Sequence, residues 1–269
     1  MIRNPAVSGM FYPAGPRDLN TSIEKYIERD AQKDDVIGVM APHAGYVYSG
    51  AVAAATYSRA NLKGIDTFVI LGPNHTGLGK ASSIMLDGQW IMPFGDVLID
   101  SILGKEILVH SKYLKSDFGA HLREHSIEVQ IPFLQYFNKD FQLVPVVMAD
   151  ARLEVCRDIG KAIARGIKKT RERVMVIASS DLTHYEPQQA ANEKDRIALD
   201  DVLRLDEEKL LEDVWKLNIS MCGCAPTAAM IAASKELGAK EAELVKYMTS
   251  GDVSGDYGRV VGYGGVLIK

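Results

Sequence analysis

The sequence predicts a single α/β domain over residues 1–269, with a mostly parallel central sheet flanked by helices. Three observations predict it. Gln142 to Met148, Leu153 to Lys168 and Arg173 to Ala178 read as strand, helix, strand, the alternation of a βαβ unit in a parallel sheet. Two earlier apolar runs of the same kind, Val36 to Met40 and Thr67 to Leu71, stop abruptly at Pro42-His43 and at Pro73-Asn74-His75. The composition, 47% hydrophobic and 25% charged, is that of an ordinary globular chain long enough to bury a substantial core.

Between these landmarks the other elements follow from local pattern. Asn4 to Pro13 mixes turn formers with apolar anchors and reads as an arm lying on the body. Leu19, Ile23, Tyr26 and Ile27 recur at helical spacing, predicting an amphipathic helix from Asp18 to Arg29. Ser49 is placed to cap a small-residue helix running through Ala60. Ser83 to Leu86 and Gln89 to Met92 read as a hairpin about Asp87-Gly88, and Asp96 as the cap of the next helix. Arg123 to Leu134 predicts a helix kinked near Pro132, with Glu124, His125 and Glu128 on or near its polar side. A charged helical layer from Glu193 to Lys216, an alanine-rich helix from Ala225 to Leu237 and closing strands Glu243 to Met248 and Arg259 to Ile268 complete the chain.

Whole-chain properties exclude several classes. A net charge of -4 with no run of lysine or arginine leaves no footprint for nucleic acid. No apolar run approaches the roughly 20 residues of a membrane span, and the opening Met1-Ile2-Arg3-Asn4-Pro5 lacks a signal-peptide core. A cytoplasmic location is expected. Three cysteines, an odd number, do not describe a disulfide framework.

The chemistry-bearing residues gather at strand ends. His43, His75 and the pair Asp181 and His184 all follow predicted strands, and Cys222 stands in a loop before a helix. Ligands collect at the carboxyl ends of strands in open α/β sheets. Imidazole and thiolate suit iron, zinc or copper, and a site with three protein ligands leaves positions open for substrate. His43 and His75 are the candidate metal ligands. Cys222 is a candidate ligand, a nucleophile or a small buried hydrophobe, with Cys224 as its rival, while Cys156 belongs to the core. His184 is the candidate general acid or base, with Asp181 orienting its ring or sharing a bound water; a third metal ligand is the other reading. Glu124 and His125 are read either as fixing the ligand histidines or contacting substrate, or as solvated polar residues with neither task. His110 and His121 carry no functional expectation.

With these residues assembled the chain resembles the Memo family, itself similar in fold to class III extradiol dioxygenases of the protocatechuate 4,5-dioxygenase β-subunit type. The likeness runs from Arg3-Asn4-Pro5-Ala6-Val7-Ser8-Gly9 through Pro42-His43-Ala44-Gly45-Tyr46, Gly72-Pro73-Asn74-His75 and Glu124-His125-Ser126-Ile127-Glu128. It continues through Ser179-Ser180-Asp181 with His184 and Cys222-Gly223 to Gly262-Tyr263-Gly264-Gly265. The resemblance implies a metal held by His43, His75 and Cys222, with Asp181 and His184 at the mouth. In the dioxygenases a glutamate matches Cys222, and the histidine matching His184 is the catalytic base. A thiolate in that place shifts preference toward softer ions. The resemblance also implies partners: an AMMECR-type protein and a radical-SAM protein in prokaryotes, and a signalling role tied to metal and redox handling in eukaryotes. The expected function is a non-haem, metal-dependent redox enzyme, dioxygenase-like, acting on a small molecule with iron or copper. The alternatives are a peptide-binding or partner-binding protein and a zinc-dependent hydrolase.

Overall fold

The computed structural model describes all 269 residues. Four strands, Gly38–Ala41, Val174–Ser179, Thr67–Pro73 and Gln142–Met148, lie side by side in that order and run parallel at the centre of a nine-stranded sheet. Every residue of Thr67–Pro73 is buried, as a strand covered on both faces must be. Its side chains alternate: Phe68 and Ile70 enter one core layer, Val69 and Leu71 the other. Helices Tyr46–Arg59 and Pro16–Glu24 cover the first layer, and Leu153–Lys169, Cys224–Glu236 and Gln188–Leu203 the second.

The sheet is mixed rather than mostly parallel. Val260–Ile268 joins Gly38–Ala41 antiparallel and itself carries Ala242–Thr249 and His184–Glu186, both antiparallel. On the far side Ser82–Ile84 joins Gln142–Met148 antiparallel. For the pair Ala242–Thr249 and Val260–Ile268 the cause is connection length. Ala242–Thr249 reaches Val260–Ile268 through one short helical turn, Gly251–Ser254, and a link this short cannot make the crossover that parallel pairing needs.

Other local expectations are corrected by long-range contacts. Ser82–Ile84 and Gln89–Trp90 form no hairpin, because Gln89–Trp90 pairs instead with Ile2–Arg3 and Val97–Leu98 in a separate small sheet. Gly88 makes this possible: at φ 100 it leaves room for Met1, whose carbonyl oxygen a Cβ there would meet at 1.9 Å. Asp100, not Asp96, caps Ser101–His110 by accepting from the amides of Ile102 and Leu103. Ser49 lies inside Tyr46–Arg59, its hydroxyl donating to the Ala44 carbonyl. The charged layer divides into Gln188–Leu203 and Glu207–Lys216 at Leu205, which has φ 55. Between Arg123 and Leu134 the chain is irregular up to a short 3₁₀ turn, Glu128–Gln130, and Pro132 opens the helix Ile131–Phe137 instead of kinking one.

Glu128 turns inward because the amino-terminal arm brings it a cation. Arg3, fully buried, pairs with the Glu128 carboxylate and stacks over Trp90 at 4.2 Å. Its guanidinium also donates to the carbonyls of His121 at 3.1 Å and Glu124 at 2.7 Å. Glu128 further accepts from the amides of Ala6 and Val7 and from the Tyr12 hydroxyl. Removing one partner of such a buried pair typically costs about 3–5 kcal/mol. Arg3→Met is therefore expected to lower the urea midpoint sharply, and Glu128→Gln added to it to restore part of the loss; full stability in Arg3→Met alone would contradict this.

His121 is buried with both ring nitrogens unpartnered. Burial, reinforced by the Arg3 charge, holds its pKa down to about 3. The unfolded chain, with a histidine near 6.5, takes up the proton first, so stability falls as pH drops from about 6.5 toward 3, by about 1.4 kcal/mol per pH unit. Urea unfolding at pH 7 and pH 5 should show a shallower acid loss in His121→Leu than in the wild type. Identical losses would place the acid sensitivity elsewhere.

Candidate metal centre

The parallel strands deliver their histidines at one rim. Gly38–Ala41 runs into His43, Thr67–Pro73 into His75, and Val174–Ser179 into Asp181. The irregular segment before Ile131–Phe137 crosses above and adds His125. It can do so because residue 72 is glycine: a Cβ there would come 2.3 Å from the Ser126 hydroxyl. The ring centroids of His43, His75 and His125 lie 4.6 to 5.5 Å apart, and each offers a nitrogen within 4.8 Å of the others.

Hydrogen bonds determine which nitrogen His43 presents. The Gln130 amide accepts from the Tyr57 hydroxyl through Oε1 and donates through Nε2 to the Pro42 carbonyl and to Ser179 Oγ. Ser179 Oγ spends its one proton on the Ser126 carbonyl at 2.7 Å. It can then only accept from His43 Nδ1, 2.9 Å away. His43 is thus the Nδ1–H tautomer, with a bare Nε2. His75 reaches the same state by another route. Its Nδ1 lies 3.0 Å from Glu124 Oε1, and its amide donates to Glu124 Oε2 at 2.6 Å. Burial alone would raise the Glu124 carboxyl; the His75 hydrogen bond and charge and the Ser126 amide overcome it and hold it at about 2.

Two of the three imidazoles, His43 and His125, are disposed to stay neutral. Burial, with His125 and His75 crowding beside it, pushes the His43 pKa well down, and burial lowers that of His125. Imidazole nitrogens gathered this closely could hold a metal ion. Cys222 stands beside this group, its Sγ 3.3 Å from His43 Nε2 and 3.6 Å from the Asp181 carbonyl. Burial, then the Asp181 charge, pushes its thiol well up. Gly223 allows the approach, since a Cβ there would lie 2.3 Å from Ser180 Cβ.

Asp181 and His184 do not pair. Asp181 Oδ1 accepts the His43 amide at 2.7 Å, and Oδ2 lies 4.0 Å from His43 Nε2. Burial raises the Asp181 carboxyl. The His184 ring is oriented instead by the Ser220 carbonyl, 2.9 Å from Nδ1, and its amide donates to the Ser220 hydroxyl. A carbonyl can only accept, so His184 carries its proton on Nδ1 and keeps Nε2 free. His184 lines a cleft of about 650 Å³ together with the three clustered histidines, Asp181 and aromatic walls that include Tyr48 and Tyr263.

Glu124, expected behind the ligands or against substrate, stands behind His75, while His125 joins the cluster itself. The helix read over Arg123 to Leu134 hid that placement. Pro132 carried the missed signal, because proline favours the first turn of a helix and marks what precedes it as loop. Of the two residues that set the His43 tautomer, Ser179 entered only as part of the Ser179-Ser180-Asp181 likeness and Gln130 carried no functional signal.

The fold and the site define an α/β protein with a three-histidine pocket at the carboxyl ends of its parallel strands. The chain belongs to the Memo family: the family model described as Memo-like protein matches residues 3–267. It is 47% identical to a MEMO1 family protein of Methanopyrus kandleri, over 100% of this chain and 99% of that protein. A MEMO1 family protein of Methanocaldococcus jannaschii is 45% identical over the same shares. In fold the chain is similar to an uncharacterized protein of Escherichia coli K12 known from its crystal structure, with a TM-score of 0.50 and 11% identity over 86% of this chain and 98% of that one.

The carboxylate behind His75 supplies a test of the centre. Groups that orient ligand histidines typically change metal affinity by about 10–100-fold when altered. Glu124→Gln is expected to weaken divalent-metal binding within that range in a chelator competition, and an affinity within about twofold of wild type would separate Glu124 from the metal.

Proposed function

We propose that this chain is a non-haem, metal-dependent redox enzyme of class III extradiol dioxygenase-like architecture, acting on a small molecule with iron or copper. One observation carries the reading: His43 and His75 are each locked as the tautomer that leaves Nε2 bare, and with His125 they converge on the floor of a cleft. His43 and His75 are the ligands common to every donor set the site offers. His125 is the third donor by proximity, and Cys222 is the other candidate for that place. A metal held here would supply Lewis acidity and, as iron or copper, one-electron chemistry.

The protein's own part is positioning and proton transfer. His184, fixed by Ser220, offers a free Nε2 to the cleft and takes the proton of a substrate hydroxyl. Asp181, its carboxylate committed to the His43 amide, anchors the His43 loop.

Elemental analysis of protein purified anaerobically under reducing conditions tests this. Near-stoichiometric iron or copper is expected in the wild type, with loss in His43→Ala and His75→Ala. His125→Ala and Cys222→Ser then identify the third donor by which of them loses metal or changes its preference. His184→Ala should retain metal and lose about 10²–10⁴-fold in turnover, followed as oxygen consumption. Equal metal in wild type and both histidine variants would overturn the proposal. Three histidines are also a donor set for catalytic zinc. Zinc in the purified protein, with a hydrolysis that His184→Ala abolishes and no oxygen uptake, would establish that second reading, in which His184 takes the proton of the attacking water.

A further inference from the structure

The glycine-rich run Gly262-Tyr263-Gly264-Gly265 lies in the closing strand Val260–Ile268 and bonds to the segment that carries Asp181 and His184. The Gly262 carbonyl accepts the Leu182 amide at 2.8 Å, and the Gly262 amide donates to the Thr183 carbonyl at 2.9 Å. A second strap arrives from the helix Gln188–Leu203. Asp195 Oδ1 accepts the Thr183 amide at 2.8 Å, and Oδ2 accepts from the Tyr247 hydroxyl at 2.8 Å. Only glycine at 262 admits this carboxylate, since a Cβ there would stand 1.8 Å from Asp195 Oδ2.

Asp195 is fully buried, and burial raises its carboxyl while the bonds to Thr183 and Tyr247 pull the other way. Burying a carboxylate is costly unless it is hydrogen-bonded. What this one gains is the Thr183 amide, for which the sheet provides no backbone acceptor. The turn into His184 thereby has three successive amides committed to three different elements. Leu182 donates to the closing strand, Thr183 to Gln188–Leu203 and His184 to the Ser220 hydroxyl.

The consequence falls on the imidazole. His184 Nδ1 reaches the Ser220 carbonyl at 2.9 Å, and it can do so only while the backbone entering His184 stays in place. The Thr183 amide is the last backbone donor before that residue.

We propose that Asp195, admitted by Gly262, is a positioning residue for His184: it holds the Thr183 amide so that the ring meets the Ser220 carbonyl and keeps Nε2 turned to the cleft. The use of that nitrogen in proton transfer rests on the metal-enzyme reading; the fixing of the ring does not.

Multiple-bond nitrogen–proton NMR of the full chain, carrying isotope-labelled histidine, tests the proposal. At about pH 8.5 imidazoles are neutral, and the spectrum reads the tautomer of each ring, with His184→Ala assigning the signal. In the wild type the Nδ1–H form of His184 should outnumber the other about 10-fold, the ratio that one net hydrogen bond supplies. Asp195→Ala should bring that ratio to about even while His43 stays Nδ1–H. Asp195→Asn should keep the wild-type ratio. Its amide oxygen still accepts from Thr183, and its nitrogen donates to Tyr247, whose own proton then goes to Asn192 Oδ1, 3.0 Å away.

Urea midpoints measured alongside separate positioning from bulk stability. A lower midpoint in Asp195→Ala with an unchanged His184 ratio would overturn the proposal, as would an equal collapse of the ratio in Asp195→Asn. Should Asp195→Ala not fold, Tyr247→Phe, which unties the carboxylate from Ala242–Thr249, carries the test: its ratio should fall between one and the wild-type value, and an unchanged ratio would overturn the proposal. The outcome is separable from that of the metal reading. An evened His184 ratio in Asp195→Ala, with equal metal in wild type, His43→Ala and His75→Ala, leaves the positioning role standing and removes the redox enzyme; an unmoved ratio with metal lost in both histidine variants gives the reverse.

Discussion

The buried pair of Arg3 and Glu128 is the contact on which the architecture of the site turns. It joins the first strand of the chain to a segment more than a hundred residues away, and that segment has no regular structure of its own to hold it. Arg3 also takes the carbonyls of His121 and Glu124, so one guanidinium clamps both ends of the loop that delivers His125. The arm contributes once more through Phe11, whose ring meets the edge of His125 at 4.9 Å. A charge buried this deeply is tolerated because every lone pair of its partner is used. What reads in sequence as a loose amino-terminal arm is a structural part of the pocket.

The metal centre has a complementary logic. His43 and His75 are constrained by different chemistry, a neutral hydroxyl chain in one case and a carboxylate in the other, yet both finish with the same nitrogen exposed. A carboxylate stands behind the His75 ring and a neutral hydroxyl behind that of His43, and such partners tune the donor strength of a ligand imidazole. Such an asymmetric pair leaves room for the ion's preferences to be tuned at the third position, where an imidazole and a thiol stand within reach. Membership in the Memo family fits this plan but does not name the ion, because the donors at that third position differ in softness.

Much of the scaffold was legible because it is written in local periodicity. The strand Gln142–Met148 and the helix that follows it fall where the apolar pattern places them, and the strand-end histidines follow from Pro42 and Pro73. What could not be read depends on partners distant in sequence. The hairpin about Asp87-Gly88 fails because Met1 occupies the space beside Gly88. The last two strands pair antiparallel because the connection between them is short. Asp181 leaves His184 because a closer donor, the His43 amide, arrives from another strand, while Ser220 comes to the histidine from a loop 36 residues on. Periodicity records what a residue buries, not which single polar atom it meets.

The chain of hydrogen bonds behind His43 passes through Ser179 to Gln130 and ends at the hydroxyl of Tyr57, in the buried part of the helix Tyr46–Arg59. Tyr57 and Gln130 would be classed as core residues by burial and as remote by distance from any ligand. They nevertheless decide where a proton sits on an imidazole. Natural variation at these two positions is best interpreted as variation in the pocket's electronic character, and a survey of related chains that weighs only cleft-lining residues would overlook it.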